Sequence, residues 1–212
     1  MSGRAILQRD ALAGNAVALA PGLIGCTLLR VLADGQHIGG RIVEVEAYEP
    51  DDPASHAFRG RTPRNASMFA RPGTAYVYRA YGTSWMLNVA TGPVGHGAAV
   101  LIRAIAPEIG VAAMAAARPG ATPRDLARGP GRLAAALHID RGLDGCDLCA
   151  PGALMLLAPD PRAALPIAAG LRIGITKGVE YPHRFFVAAP HALARAVSGK
   201  AALNVAGLPL NR

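Results

Sequence analysis

The chain has 212 residues, 51% of them hydrophobic and only 17% charged, which allows one domain with a packed core and excludes a disordered chain. Its formal charge of +8 is carried mostly by arginine, a balance that fits a polyanionic partner but also a plain compositional bias. Three cysteines, Cys26, Cys146 and Cys149, are too few for a disulfide framework and point to a reducing compartment.

Ala11 to Leu29 carries no charge, and Ala18-Leu19-Ala20 imitates a leader-cleavage site. Asp10, Asn15 and Pro21-Gly22 interrupt it, so the simpler reading is a helix ending near Ala20, a Pro-Gly break and then a strand. Residues 26–33 have strand composition, Asp34-Gly35 signals a tight turn, and His37 to Tyr48 returns as a second strand with a bulge at Gly39-Gly40. Residues 49–65 form a polar loop long enough to carry function. Thr74–Ala80, Ser84–Thr91 and Gly97–Ala106 read as three more strands, with Gly82 at the first turn. An Ala-rich run predicts a helix from Glu108 to Arg118, and Arg132–Leu137 a short one after Gly129-Pro130-Gly131. Short apolar runs at 153–158, 171–176 and 184–187 complete the chain. The coarse expectation is one mixed α/β (α+β) domain spanning 1–212 around a largely antiparallel sheet, with no membrane span.

In the second strand Glu44, Glu46 and Tyr48 alternate with apolar residues and share one face. Two carboxylates so spaced, roughly 6.6–6.8 Å apart along a strand, can divide acid and base work, or can simply form the wet face of an amphipathic strand. Four of the five tyrosines lie between positions 48 and 81. Tyr76 reads as core, while Tyr81, beside Arg79 and Gly82, reads as an aromatic wedge for a base stack. Asn88 and Arg103 interrupt apolar strands, where an unpartnered polar group costs about 1–3 kcal/mol, and with His56 they suggest a polar pocket. Arg64, Asn65 and Arg71 sit in segments (TPRN, RPGT) suited to phosphate contacts. Cys146 and Cys149 have metal or redox spacing, but with His138 alone nearby they do not make four ligands and read as structural or incidental.

The ordered block from Arg41 to Pro107 (RIVEVEAY, His56, TPRN, MF, RPGTAYVYRAYG, Asn88, VLIRAIAP) resembles the alkyladenine (3-methyladenine) DNA glycosylase family, and RGPGRLAAAL and RIGITKG…RFFV extend the resemblance over most of the chain. The resemblance implies a curved antiparallel sheet with flanking helices and a protruding, DNA-intercalating β-hairpin, acting as a monomer on double-stranded DNA containing damaged purines. No metal or other cofactor is implied. Glu46 resembles the base that activates water, and Arg103 the arginine that positions the water and the target nucleotide. Tyr48, Tyr78 and His56 resemble the pocket that receives the flipped base. Asn88 resembles the residue that disfavours guanine, and Tyr81 the side chain that fills the gap in the duplex. Arg64, Asn65, Arg71 and Arg79 are the expected DNA contacts. Thr83-Ser84 departs from the larger apolar residues usual after the wedge. No lysine occurs between Arg41 and Pro107, so a water nucleophile without strand nicking is expected. The expected location is cytoplasmic, with the nucleoid in a bacterium. Two other readings share some of these features: a non-catalytic nucleic-acid-binding domain, and a carbohydrate hydrolase using Glu44 with Glu46.

Overall fold

The computed structural model describes residues 4–80, 82–161, 165–188 and 203–204. Among these, nine strands form one antiparallel sheet. They are β1 (Thr27–Val31), β2 (His37–Tyr48), β3 (Ala75–Ala80), β4 (Ser84–Thr91), β5 (Ala98–Ile109), β6 (Leu154–Leu157), β7 (Ile167–Gly170), β8 (Arg184–Val187) and β9 (Leu203–Asn204). The order is β3-β4-β5-β2-β8-β7-β9, with β1 between β2 and β6.

The long strand β2 organises the sheet. One edge pairs with β5, while the other pairs with β1 over residues 37–41 and with β8 over Glu44–Glu46. Changing partners halfway requires the strand to bend, and register shifts at Gly39/Gly40 and around Glu44 supply the bend, curling the sheet. The expected Gly-Gly bulge is present. A Cβ on Gly40 would collide with the Ala106 carbonyl oxygen, so the close approach of β2 and β5 requires glycine there.

Among the described residues three α-helices, α1 (Ala16–Leu23), α2 (Val111–Ala116) and α3 (Pro130–Ala136), pack against the sheet. Their bounds differ from expectation: α3 begins at Pro130, two residues early, and the other two depart further. Helix α1 continues through Pro21-Gly22 rather than stopping at Ala20. Its N-terminus is held by Asn15 Oδ1, which accepts from the Val17 and Ala18 amides at 3.0 Å, and by Glu49, which accepts from the Ala16 amide. Pro21 falls in the last turn, where its missing N–H removes one bond only, and its burial with Ala16, Ala20 and Leu23 retains the helical path. Helix α2 starts three residues late because β5 continues through Pro107, pairing Gly40 with Pro107 and Gly39 with Ile109. Sheet pairing outweighs alanine propensity at that point. Gly110, at φ 60°, then turns the chain into the helix.

The principal core lies between the sheet and the helices, built from Leu28, Ile42, Val45, Ile102, Ile105, Leu133 and their neighbours. A smaller cluster of Ala57, Met68, Tyr76 and Ala99 supports the loop after β2. No helix of the described residues is long and apolar enough to cross a membrane.

Candidate active site

Alternation along β2 sends Val43, Val45 and Ala47 into the core and turns Glu44, Glu46 and Tyr48 to the opposite face. Glu46 is fully buried, yet it lies at the wall of a cavity of about 800 Å³. Its Oε1 accepts from the Ile173 amide at 2.8 Å. Its Oε2 accepts from the Tyr48 hydroxyl at 2.8 Å and from Arg103 Nη1 at 3.1 Å. A carboxylate offers about four acceptor positions, so these three donors fix its orientation and leave capacity for one more partner.

Glu44 is buried as well, and its Oε1 accepts from Arg103 Nε at 3.0 Å and Arg184 Nη1 at 3.2 Å. Two carboxylates and two guanidinium groups therefore offset one another where isolated charges would be costly. Burial disfavours the charged form of Arg103, but Glu46 and Glu44 outweigh burial and raise its pKa. Burial, followed by the charge and hydrogen bond of Glu46, pushes the Tyr48 hydroxyl far above its usual range, so it remains a donor.

Aromatic rings also line the cavity, His56 and Tyr78 at its surface with Tyr76 behind them. His56 meets Tyr78 edge-on at 4.5 Å between centroids, Tyr78 stacks on Tyr76 at 5.4 Å, and His56 Nδ1 and the Tyr76 hydroxyl share a 2.8 Å hydrogen bond. Burial and then the positive field of Arg64 lower the His56 pKa, so the ring is neutral near pH 7. Asn88, 4% exposed, donates to the Tyr76 carbonyl at 3.1 Å from the neighbouring strand.

Of the residues singled out in the sequence, Glu46, Tyr48, His56, Arg64, Tyr78, Asn88 and Arg103 line this one cavity. Arg71, Arg79 and Asn65 lie outside its lining. Arg79 is exposed and lies over the Trp85 ring at 5.7 Å, and the half-exposed Arg71 pairs with Asp147 at 2.8 Å. Asn65 is not presented to solvent. It is 3% exposed, its Nδ2 donates to the His56 and Gly60 carbonyls, and its Oδ1 accepts from the Thr62 amide and hydroxyl. Its structural task is to close the loop that carries His56. β3 and β4 pair as far as Ala80 with Ser84, but the wedge candidate Tyr81 lies outside the described residues.

Sequence reasoning missed several participants. Arg172 and Asp52 form a fully buried ion pair, and the Arg172 guanidinium lies 4.6 Å from the centre of the Tyr48 ring. Arg172 also donates to the Ala47 and Gly178 carbonyls, joining the 171–178 loop to the loop after β2. Arg184, Arg59, Met86 and Lys177 were not anticipated either; the last three line the cavity. Cys146 and Cys149 are free, half-buried thiols whose pKa values are raised, chiefly by burial. Among the described residues no group of three or more His, Cys, Asp or Glu side chains is placed to hold a metal.

The family model described as methylpurine-DNA glycosylase matches residues 10–191. The chain belongs to that family. Among its curated relatives, a protein of Granulibacter bethesdensis is 50% identical over 190 residues, covering 89% of this chain and 87% of the relative. One of Mesorhizobium japonicum is 51% identical over 181 residues, covering 85% and 86%. A more distant one from Carboxydothermus hydrogenoformans is 41% identical over 182 residues, covering 86% and 95%. All three bear the name 3-methyladenine DNA glycosylase. The methylpurine-DNA glycosylase family match spans every described residue of the cavity lining, from Glu46 to Lys177.

Proposed function

We propose that this protein excises alkylated purines of the 3-methyladenine type from double-stranded DNA, flipping the base into the cavity and hydrolysing its N-glycosidic bond with water activated by Glu46. The observation that carries this reading is Glu46 itself: a buried carboxylate, held by three donors, at the wall of a cavity also lined by Tyr48, His56 and Tyr78.

Extruding a base costs a few kcal/mol. Stacking on Tyr48 and Tyr78 offsets that cost, at about 1–3 kcal/mol per stacked base, and Tyr81 fills the vacated space in the duplex. The neutral His56 ring presents no charge to repel a cationic base. As the bond to the alkylated purine breaks, the sugar carbon gains positive charge, which the Glu46 carboxylate stabilises while accepting a proton from the attacking water. Arg103, held on two carboxylates, points toward the same reaction space and positions the water and the nucleotide. Asn88 narrows the pocket against guanine. Arg64, Arg71 and Arg79, with Lys177, meet the phosphates, and the protein works as a monomer in the cytoplasm.

Lys177 raises the question of an amine nucleophile, which the stretch from Arg41 to Pro107 lacks. It is exposed, whereas the group fixed at the cavity wall is a carboxylate, so water is the nucleophile and the product an intact strand with an abasic site. The test is to incubate the protein with duplexes carrying single damaged purines and to separate the strands with and without alkali. Cleavage only after alkali, on the alkylated duplexes, is expected. No base release from any alkylated duplex overturns the function, and nicking without alkali overturns the water mechanism.

A further inference from the structure

Glu44 is the common anchor of both oxygens of Glu46, and we infer that it is a positioning residue for base release, an assignment that rests on the function proposed above. Glu44 does not line the cavity, and at 3% exposure it is closed to substrate. Yet a single atom, Glu44 Oε1, receives two arginines that lead to the two sides of Glu46.

The first route is direct. Arg103 gives its Nε to Glu44 and its Nη1 to Glu46 Oε2, so its guanidinium plane is set by two carboxylates on one strand face. The second route is indirect. Arg184 gives Nη1 to Glu44 and its Nε to the Leu171 carbonyl at 2.7 Å. Leu171 is two residues before Ile173, whose amide is the donor to Glu46 Oε1. Arg184 itself stands opposite Glu46 in the β2–β8 ladder and lies 4.6 Å from the centre of the Phe186 ring, so its own freedom is small.

The charge count gives Glu44 a second task. With Glu44 present, Arg103 and Arg184 face two carboxylates. Without its charge, Glu46 is the carboxylate left to Arg103, and Arg184 loses the carboxylate it shares with Arg103 while staying opposite Glu46 in the ladder, so the negative charge available to the developing sugar cation is diminished. A glutamine at position 44 keeps the volume and one acceptor oxygen but removes that balance.

The experiment combines single-turnover base release, binding to a duplex with an abasic analogue, and amide hydrogen exchange at Ile173. In Glu44→Gln we expect release to slow by about tenfold or more, binding to stay within about threefold, and Ile173 to exchange about tenfold faster while β3 and β4 amides keep their protection. Glu44→Asp, which keeps the charge, recovers part of both losses. Combined with Arg103→Lys, the Glu44→Gln loss in release is less than additive, because the two changes remove one shared interaction. If Glu44→Gln does not fold, Arg184→Lys decides: it keeps the charge but cannot span Glu44 and Leu171, so Ile173 exchange rises there too. Unchanged Ile173 exchange in the folded variants overturns the anchor, as does full additivity with Arg103→Lys. A wild-type protein that releases no damaged base overturns the proposed function instead, and the exchange measurement still judges the anchor.

Discussion

Replacing Arg172 by methionine tests whether the buried ion pair holds the cavity's two lips together. The Arg172 and Asp52 side chains are 0% and 2% exposed. In the variant, the Asp52 carboxylate loses both guanidinium donors and keeps the Ala54 amide at 2.9 Å. The Ala47 and Gly178 carbonyls lose their donor at the same time. Removing one partner of a buried pair costs about 3–5 kcal/mol. For a domain of this size each kcal/mol moves Tm by about 2–4 °C, so a fall of about 6 °C or more is expected. Asp52→Asn alone is expected to cost less, because Arg172 retains two carbonyl acceptors and the Tyr48 ring. The double variant Arg172→Met with Asp52→Asn recovers part of the loss, since no charge is then left buried alone. Thermal and urea unfolding of the four proteins complete the cycle. A Tm fall under about 2 °C for Arg172→Met, or a double variant as unstable as the sum of the singles, would mean that the pair does not hold the two loops together.

Further expectations concern the pH dependence, the first helix and the DNA surface. His56 and His183 both have pKa values lowered below the usual 6.5, in each case first by burial and then by a neighbouring arginine. The unfolded chain therefore binds protons first, and stability should fall as pH drops from about 6.5 until the folded values are reached, a slope that His56→Gln reduces in urea titrations. Asn15→Ala removes the cap of α1 and should cost about 1 kcal/mol in the same unfolding assay. Affinity for duplex DNA should decline linearly on a log–log plot against salt, and Arg64→Gln should lessen the slope by about one.

Local patterns were legible in the sequence, and long-range pairings were not. β2 has the bounds its alternation implies, and the Gly-Gly bulge, the β3 and β4 strands and the seven cavity residues follow from short motifs read together. Helix bounds erred where tertiary structure overrode local preference, at Pro21 inside α1 and at Pro107 inside β5. Arg172 and Arg184 escaped notice because their partners, Asp52 and Glu44, lie 120 and 140 positions away, and an arginine beside apolar residues gives no sign of where its charge is met. Asn65 carried a misleading signal: the composition that suits a phosphate contact also suits a residue closing its own loop. Glu44 was ambiguous for a related reason, since strand alternation gives its face but not whether that face is wet.

The role of Glu46 is tested by single-turnover release of 3-methyladenine from a methylated duplex by the wild-type protein and by Glu46→Gln. Binding of both to a duplex bearing an abasic analogue is measured alongside. A water-activating Glu46 requires that release be lost in the variant, by about a hundredfold or more, while binding is largely kept. Release at near wild-type rates from Glu46→Gln would contradict that role.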